Sequence, residues 1–133
     1  MSVTHFRKLE VWKLSMKLVK DVYQISEEFP VKHRYGLTSQ LLRSAISIPS
    51  NIAEGNGRGS TRDYARFVSI ALGSTAELET QLLLARELGL ADPSSIDGLL
   101  EVCDRVGQML QRLNQALRRR IESESRVPSP ESR

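Results

Sequence analysis

Ile96, Cys103, Leu110 and Leu117 recur every seven residues, and Leu99, Val106 and Leu113 fall between them. Such a heptad lines one seam of an α-helix with apolar side chains, and the seam is buried only if other helices pack on it. The chain is thereby committed to a helical bundle rather than a sheet. Asp92-Pro93 offers a cap and a first-turn proline ahead of the heptad, and Arg118, Arg119 and Arg120 suit the negative end of the helix dipole, so this helix is predicted at about residues 93–121.

Three more helices follow from spacing of the same kind. Val11, Leu14, Leu18, Val22 and Ile25 make one stripe within residues 9–28, and Trp12, Met16, Val19 and Tyr23 make a second beside it. Together they form a wider apolar sector than one partner helix covers. Phe29-Pro30 closes the helix. Leu37, Leu41, Ala45, Ile48 and Ile52 predict a second helix over 36–54. A kink is expected at Pro49, which crowds the carbonyl of Ala45 and withholds an N–H from it; a nearby serine or water is expected to serve that carbonyl. Gly55, Gly57 and Gly59 then permit the positive φ angles that end a helix and reverse the chain. Ser60 or Thr61 caps a third helix over 61–88, Asp63 favours its positive end and Gly89 stops it. Tyr64, Phe67, Val68, Ala71, Leu78, Leu82 and Ala85 form its main stripe, while Ile70, Leu72, Ala76, Leu83 and Leu88 spread apolar character around it.

Four helices with short connections predict an all-α, antiparallel up-and-down four-helix bundle. The 133 residues suffice for one such domain, placed at 1–122, and 40% hydrophobic but only 5% aromatic residues suit helix packing better than a sandwich. Residues 123–133 have no periodicity and are expected to be disordered. Surplus apolar surface on helices one and three points to self-association, the plainer cause being a first helix that covers more of the core. A lone Cys103 cannot form an internal disulfide, and no secretory leader is recognisable. With no apolar window near the roughly 18 residues of a membrane span, a soluble cytoplasmic protein is expected.

The net charge of +3 is uneven: residues 1–66 carry eleven Lys and Arg against six Asp and Glu, a net of +5, and the remainder is −2. A polyanionic partner would use that asymmetry, and so would an ordinary solvated surface. Lys13, Lys17 and Lys20 share one face of helix one, with Arg7 and Lys8 just ahead of it. A phosphate backbone complements such a row, although Asp21 is placed to neutralise Lys17. Arg58 and Arg62 flank the start of helix three, where free N–H groups and the dipole hold an anion that Gly57 and Gly59 let approach. A glycine cap followed by a polar corner is the plainer reading of those residues.

No catalytic set assembles. Gly55-x-Gly57-x-Gly59 follows no strand and precedes no Gly-Lys-Ser/Thr, so it is not a nucleotide loop. Glu54, Glu77 and Glu79 lie closest to apolar stretches, yet Glu77 and Glu79 diverge around their helix. The Glu-x-x-His pairs of a di-iron bundle are missing, with His5 and His33 outside the helical stripes. Glu54 or Glu77 is instead expected to bond a helix end or an arginine such as Arg43. Cys103 on the seam and Ser47, Ser50, Ser69 and Ser74 have no histidine or other base at readable spacing; the serines suit close helix approach or bonds to carbonyls. Neither enzymatic activity, nor a cofactor, nor a metal is expected.

Distinctive runs extend from about Phe6 to Leu117. They are Phe6-Arg7-Lys8-Leu9-Glu10-Val11-Trp12, Phe29-Pro30, Tyr35-Gly36-Leu37-Thr38-Ser39-Gln40-Leu41, Arg43-Ser44-Ala45 and Ser47-Ile48-Pro49-Ser50-Asn51-Ile52-Ala53-Glu54-Gly55. Arg58, Tyr64, Phe67, Ala71, Gly73-Ser74, Glu77-Leu78-Glu79-Thr80 and Leu88-Gly89 continue the pattern. In these the chain resembles the four-helix-bundle family of 23S rRNA intervening-sequence proteins, which is similar in turn to the accessory variability protein of diversity-generating retroelements. The resemblance implies an antiparallel bundle that assembles into a homopentameric barrel, with no established enzymatic activity. It marks Trp12, Pro49, Asn51, Glu54, Gly55, Ser74 and Glu77 as structural. It also implies a basic surface for RNA or DNA, and a ring of five would repeat the lysine row five times.

The expected function is nucleic-acid binding by a homo-oligomer, reading shape and phosphate through Arg7, Lys8, Lys13, Lys17, Lys20, Arg43, Arg58 and Arg62, since few aromatics are free to stack on bases. The alternative is a structural or adaptor protein whose partner is another protein, such as a reverse transcriptase, with the basic residues serving docking or solubility.

Overall fold

Short polar side chains set where two of the helices begin. Ser60 Oγ accepts from the backbone N–H of Asp63 at 3.0 Å, which settles Ser60 over Thr61 as the cap. Asp92 Oδ2 accepts from the N–H of Ser95 at 3.0 Å, with Pro93 in the first turn. In the computed structural model, which describes residues 5–126, these caps open two of four helices. A 3-10 turn at Phe6–Lys8 leads into α1 (Glu10–Ser26); a second, Val31–His33, precedes α2 (Leu37–Asn56), followed by α3 (Thr61–Glu87) and α4 (Pro93–Ser125). The described residues contain no strand.

The stripes read from spacing form the core. Leu18 and Val22 of α1, Leu41, Ile48 and Ile52 of α2, Val68, Leu78 and Leu82 of α3, and Ile96, Cys103, Val106 and Leu110 of α4 are sealed from solvent. Each large aliphatic side chain so buried contributes about 1.5–3 kcal/mol. The heptad of α4 is thus the seam it was expected to be, with Leu113 half-buried on its border. The second stripes are covered only in part: Trp12 and Val19 of α1 and Leu72 of α3 pack against the core, whereas Met16 and Tyr23 of α1, Ile70, Leu83 and Leu84 of α3, Leu88 just past its end, and Ile46 of α2 are exposed.

Side-chain contacts define two ends. At one, Thr61 Oγ1 at the start of α3 donates to Glu124 at the end of α4, and Leu9, Tyr64 and Leu117 line one groove. At the other, the N–H of Asp92 donates to Glu28 beyond α1, and Arg86 near the end of α3 grips Asp97 in α4 at 2.7 and 3.0 Å.

Several expectations need correction. Gly55, Gly57 and Gly59 do not reverse the chain through positive φ; Gly89, at 67°, is the one glycine with positive φ among the described residues. Helix α2 runs past residue 54 to Asn56, so Gly55 is helical and serves another purpose. Pro49 does lie inside α2, but no serine or other side chain among the described residues bonds the carbonyl of Ala45. Instead Asn51 Nδ2 donates to the carbonyl and the hydroxyl of Ser47, at 2.8 and 2.9 Å. The Ser47 hydroxyl in turn bonds that of Ser74 at 2.7 Å, a polar link between α2 and α3. Finally, α4 continues to Ser125, so residues 123–125 are helical rather than disordered: a short run of Ser and Glu is no obstacle to a helix already propagating. The stretch 127–133 lies outside the described residues.

Candidate nucleic-acid interface

Gly55 occupies the tightest contact between α2 and α3. A Cβ there would lie 2.7 Å from Cβ of Phe67 and 3.2 Å from the ring of Tyr64, so only glycine lets the end of α2 rest on the first turns of α3. This approach covers Phe67, which stays 7% exposed. Two guanidinium groups sit on the same ring, Arg58 with its Cζ 5.1 Å and Arg66 with its Cζ 4.6 Å from the centroid. Arg58 comes from the connection after α2 and Arg66 from the second turn of α3. Neither has a carboxylate within ion-pair distance among the described residues.

Two grooves flank this pair. One, of about 430 Å³, is lined by Arg58, Gly59, Ser60 and Thr61 at the start of α3, Leu9 ahead of α1, and Leu117 and Arg120 near the end of α4. The other, of about 340 Å³, brings Arg62 and Arg66 of α3 against Arg118 and Ile121 of α4. Arg7 and Lys8, exposed on the 3-10 turn just before Leu9, belong to the same end of the bundle.

Divided at the helix midpoints, the molecule is strongly polarised. Residues 5–18, 47–74 and 109–126, which share this end, hold twelve Lys and Arg against five Asp and Glu, a net of +7; residues 19–46 and 75–108 hold six against ten, a net of −4. The asymmetry noted between sequence halves becomes an asymmetry between the ends of the fold. A field of this kind attracts polyanions to one end and repels them from the other.

The remaining sequence candidates are dispersed. Lys13, Lys17 and Lys20 are exposed along α1 as expected, but Lys17 pairs with Asp21 at 2.8 Å and Lys13 with Glu10 at 3.4 Å. Arg43 is exposed in the other half of the molecule. Glu54 and Glu77 are exposed and accept no hydrogen bond among the described residues, against the expectation that one would bond a helix end or Arg43. Eleven residues of helix separate Arg43 from Glu54, roughly 16 Å, which is too far for a pair. Trp12 is half-buried against the core and touches Phe6 edge-on at 5.3 Å.

Arg66, Arg118 and Arg120 were missed as candidates. The signal for Arg66 was its spacing, since Arg58, Arg62 and Arg66 recur every four residues across the corner. Burial, with a smaller contribution from Glu79, pushes the Cys103 thiol up to about 12, so it behaves as a packed hydrophobe. Among the described residues no three His, Cys, Asp or Glu side chains converge as metal ligands, and no helix is long and apolar enough to cross a membrane.

Comparison with known proteins places these features in a family. The family model described as 23S rRNA-intervening sequence protein matches residues 7–112. Among solved structures, the chain is similar to a protein with unknown function from the S23 ribosomal protein family of Bacteroides thetaiotaomicron. The two are 21% identical with a TM-score of 0.72, over 78% of this chain and 97% of that one. This likeness concerns the four-helix fold. No curated protein matches the chain.

Proposed function

The chain belongs to the 23S rRNA-intervening sequence protein family, and from that membership and the charge gathered at one end of the bundle we propose that it is a non-enzymatic, homo-oligomeric protein that binds RNA or DNA. Contacts go to shape and phosphate rather than to bases. The observation that carries this reading is the polarity of the molecule, +7 against −4 between its ends. Phosphate contacts need concentrated cationic side chains and little else, whereas base readout needs free aromatic or amide groups.

The helices follow an antiparallel up-and-down course, and copies associate through the apolar side chains left outside the core. Met16, Trp12 and Val19 of α1 line a shallow apolar groove of about 390 Å³ with Ile46, Pro49 and Ala53 of α2, and α3 offers Ile70 and Leu84, with Leu88 just past its end. Surfaces of this kind are costly to leave in water. A closed ring of five is the assembly proposed, and it multiplies the basic corner by five. The protein works in the cytoplasm.

The test is titration of a hairpin RNA and a duplex DNA against the full chain across a salt series, with the mass of the free protein measured in parallel. Binding that weakens steeply with salt, by an oligomer, is the expected result. Absence of binding at low salt, together with recovery of a protein partner after nuclease treatment, would replace this reading with that of a protein adaptor, for which the exposed Leu83 and Leu84 of α3 and Leu88 just past its end are the docking candidates.

A further inference from the structure

We infer that Arg58 and Arg66, seated together on the ring of Phe67, form a pre-organised clamp for successive phosphates of one nucleic-acid strand, with Arg62, Arg118 and Arg120 lining the grooves beside it. The inference rests on the nucleic-acid reading above and gives it a contact point, the corner between α2 and α3 rather than the lysine row of α1.

Two like charges on one ring, with centroid distances of 5.1 and 4.6 Å, repel each other, and no carboxylate among the described residues relieves them. Cation–π attraction favours the position of each guanidinium over the ring, and the repulsion between them is relieved when anions arrive beside them. Stacking on an aromatic face leaves the N–H edge of an arginine free, and that edge matches phosphate oxygens two at a time. Side chains fixed by the ring also lose less rotamer freedom on binding than free ones. Phe67 is itself fixed, because Gly55 allows α2 to close over it.

The alternative surface is weaker for a countable reason. Of Lys13, Lys17 and Lys20, two already hold a carboxylate partner, so a phosphate arriving there displaces an existing ion pair. Bases have nothing to stack on at the corner: Phe67 is 7% exposed beneath the arginines, and Tyr64 is half-buried with its hydroxyl accepting from Asn56 Nδ2 at 3.3 Å. The ligand is therefore the sugar–phosphate backbone of a paired or structured nucleic acid.

The experiment titrates a duplex DNA and a hairpin RNA against the full chain between about 50 and 200 mM salt. Wild type is compared with R58Q/R66Q, with R58K/R66K, and with K13Q/K17Q/K20Q, each checked for unchanged helicity and mass. All these side chains are exposed, so the fold tolerates their exchange. For R58Q/R66Q the slope of log affinity against log salt should fall by about two, with binding roughly tenfold weaker or more. R58K/R66K keeps both charges but not the stacked fork; its slope should stay near wild type while affinity drops severalfold. The lysine triple should lose less than about one unit of slope. Either nucleic acid behaving this way supports the clamp and identifies the backbone it takes. If R58Q/R66Q leaves the slope unchanged and the lysine triple abolishes binding, the clamp is overturned while nucleic-acid binding stands. Should wild type bind neither probe at 50 mM salt, both readings fall.

Discussion

Each end of this bundle places a capped helix start beside arginines, and the two ends use those arginines in opposite ways. At the end where α3 meets α4, Arg86 bonds Asp97 through two N–H groups, and Asp92 caps α4 with a carboxylate. At the end where α2 turns into α3, Ser60 caps with a neutral hydroxyl, and Arg58 and Arg66 lean on Phe67 with no acid partner among the described residues. The first arrangement spends its charge inside the molecule. The second leaves it facing outward, and the difference separates arginines that hold the fold together from arginines available to a ligand.

The two ends share one core, so the harshest way to test their independence is to damage that core. Leu78 of α3 is fully buried, and Leu78→Ala should cost about 2–5 kcal/mol through lost burial and the cavity left behind. Thermal unfolding should report that loss, whereas the salt slope for nucleic acid, measured below the melting range, should stay at the wild-type value. A changed slope would mean that the basic corner is not separable from general packing.

Gly55→Ala strikes one end alone. Its new methyl would lie 2.7 Å from Cβ of Phe67, an atom next to the α3 backbone that cannot swing aside, so the helices must part at the corner. Overpacking of this kind costs about 1–3 kcal/mol. Unlike Leu78→Ala, it should also weaken nucleic-acid binding, because the ring beneath Arg58 and Arg66 moves. A stable Gly55→Ala protein with unaltered affinity would show that the ring does not organise the two arginines.

Between the ends, Ser47 and Ser74 tie α2 to α3. Replacing one by Ala leaves its partner hydroxyl short of a bond, at a cost of about 1–3 kcal/mol, and removing both should cost less than the sum of the singles. Denaturant unfolding of the two singles and the double measures the coupling. Additive losses would mean that the hydroxyls act separately. Neither single variant should alter the salt slope, since the link lies away from both clusters of arginine.

These features differ in how far they could be read from sequence. The seam of α4 was legible because a heptad states both the helix and its buried face, and Ser60, Asp92, Pro93 and Gly89 marked helix boundaries through local chemistry. Gly55 was legible as special but misread: spacing along the chain cannot distinguish a glycine needed for positive φ from one needed for close approach, because the second depends on Phe67, twelve residues on. The link between Ser47 and Ser74 spans 27 residues, and the choice of partner there is made by packing. The lysine row was visible, yet its neutralisation by Glu10 was overlooked. Arg118 and Arg120 were read as dipole partners of α4, and only the fold brings them beside Arg62, Arg66 and Arg58.

The mildest probe acts on the acidic end alone. Hydrogen bonding from Arg86 holds the Asp97 carboxyl below the usual carboxylate range, and the Ser94 hydroxyl, with the N–H and hydroxyl of Ser95, does the same for Asp92. A carboxyl whose pKa is lower folded than unfolded favours the folded state when ionised. Its stabilisation is present above the unfolded value, about 3.9, and is lost as pH falls through the lower folded value. Both groups are at the surface, so the effect is small and screened by salt. Asn still caps a helix, so D92N/D97N removes the charges without removing the cap. Thermal midpoints of wild type should fall more steeply than those of the variant as pH drops from about 5 to below 3.9, and the two should converge in stronger acid. At neutral pH the salt slope for nucleic acid should not change, because the 27 residues of α3 set the two ends roughly 40 Å apart, several screening lengths at physiological salt. Parallel acid curves would remove these carboxylates from the stability of the fold, and an altered slope would mean that the acidic end shapes the field in which the basic corner works.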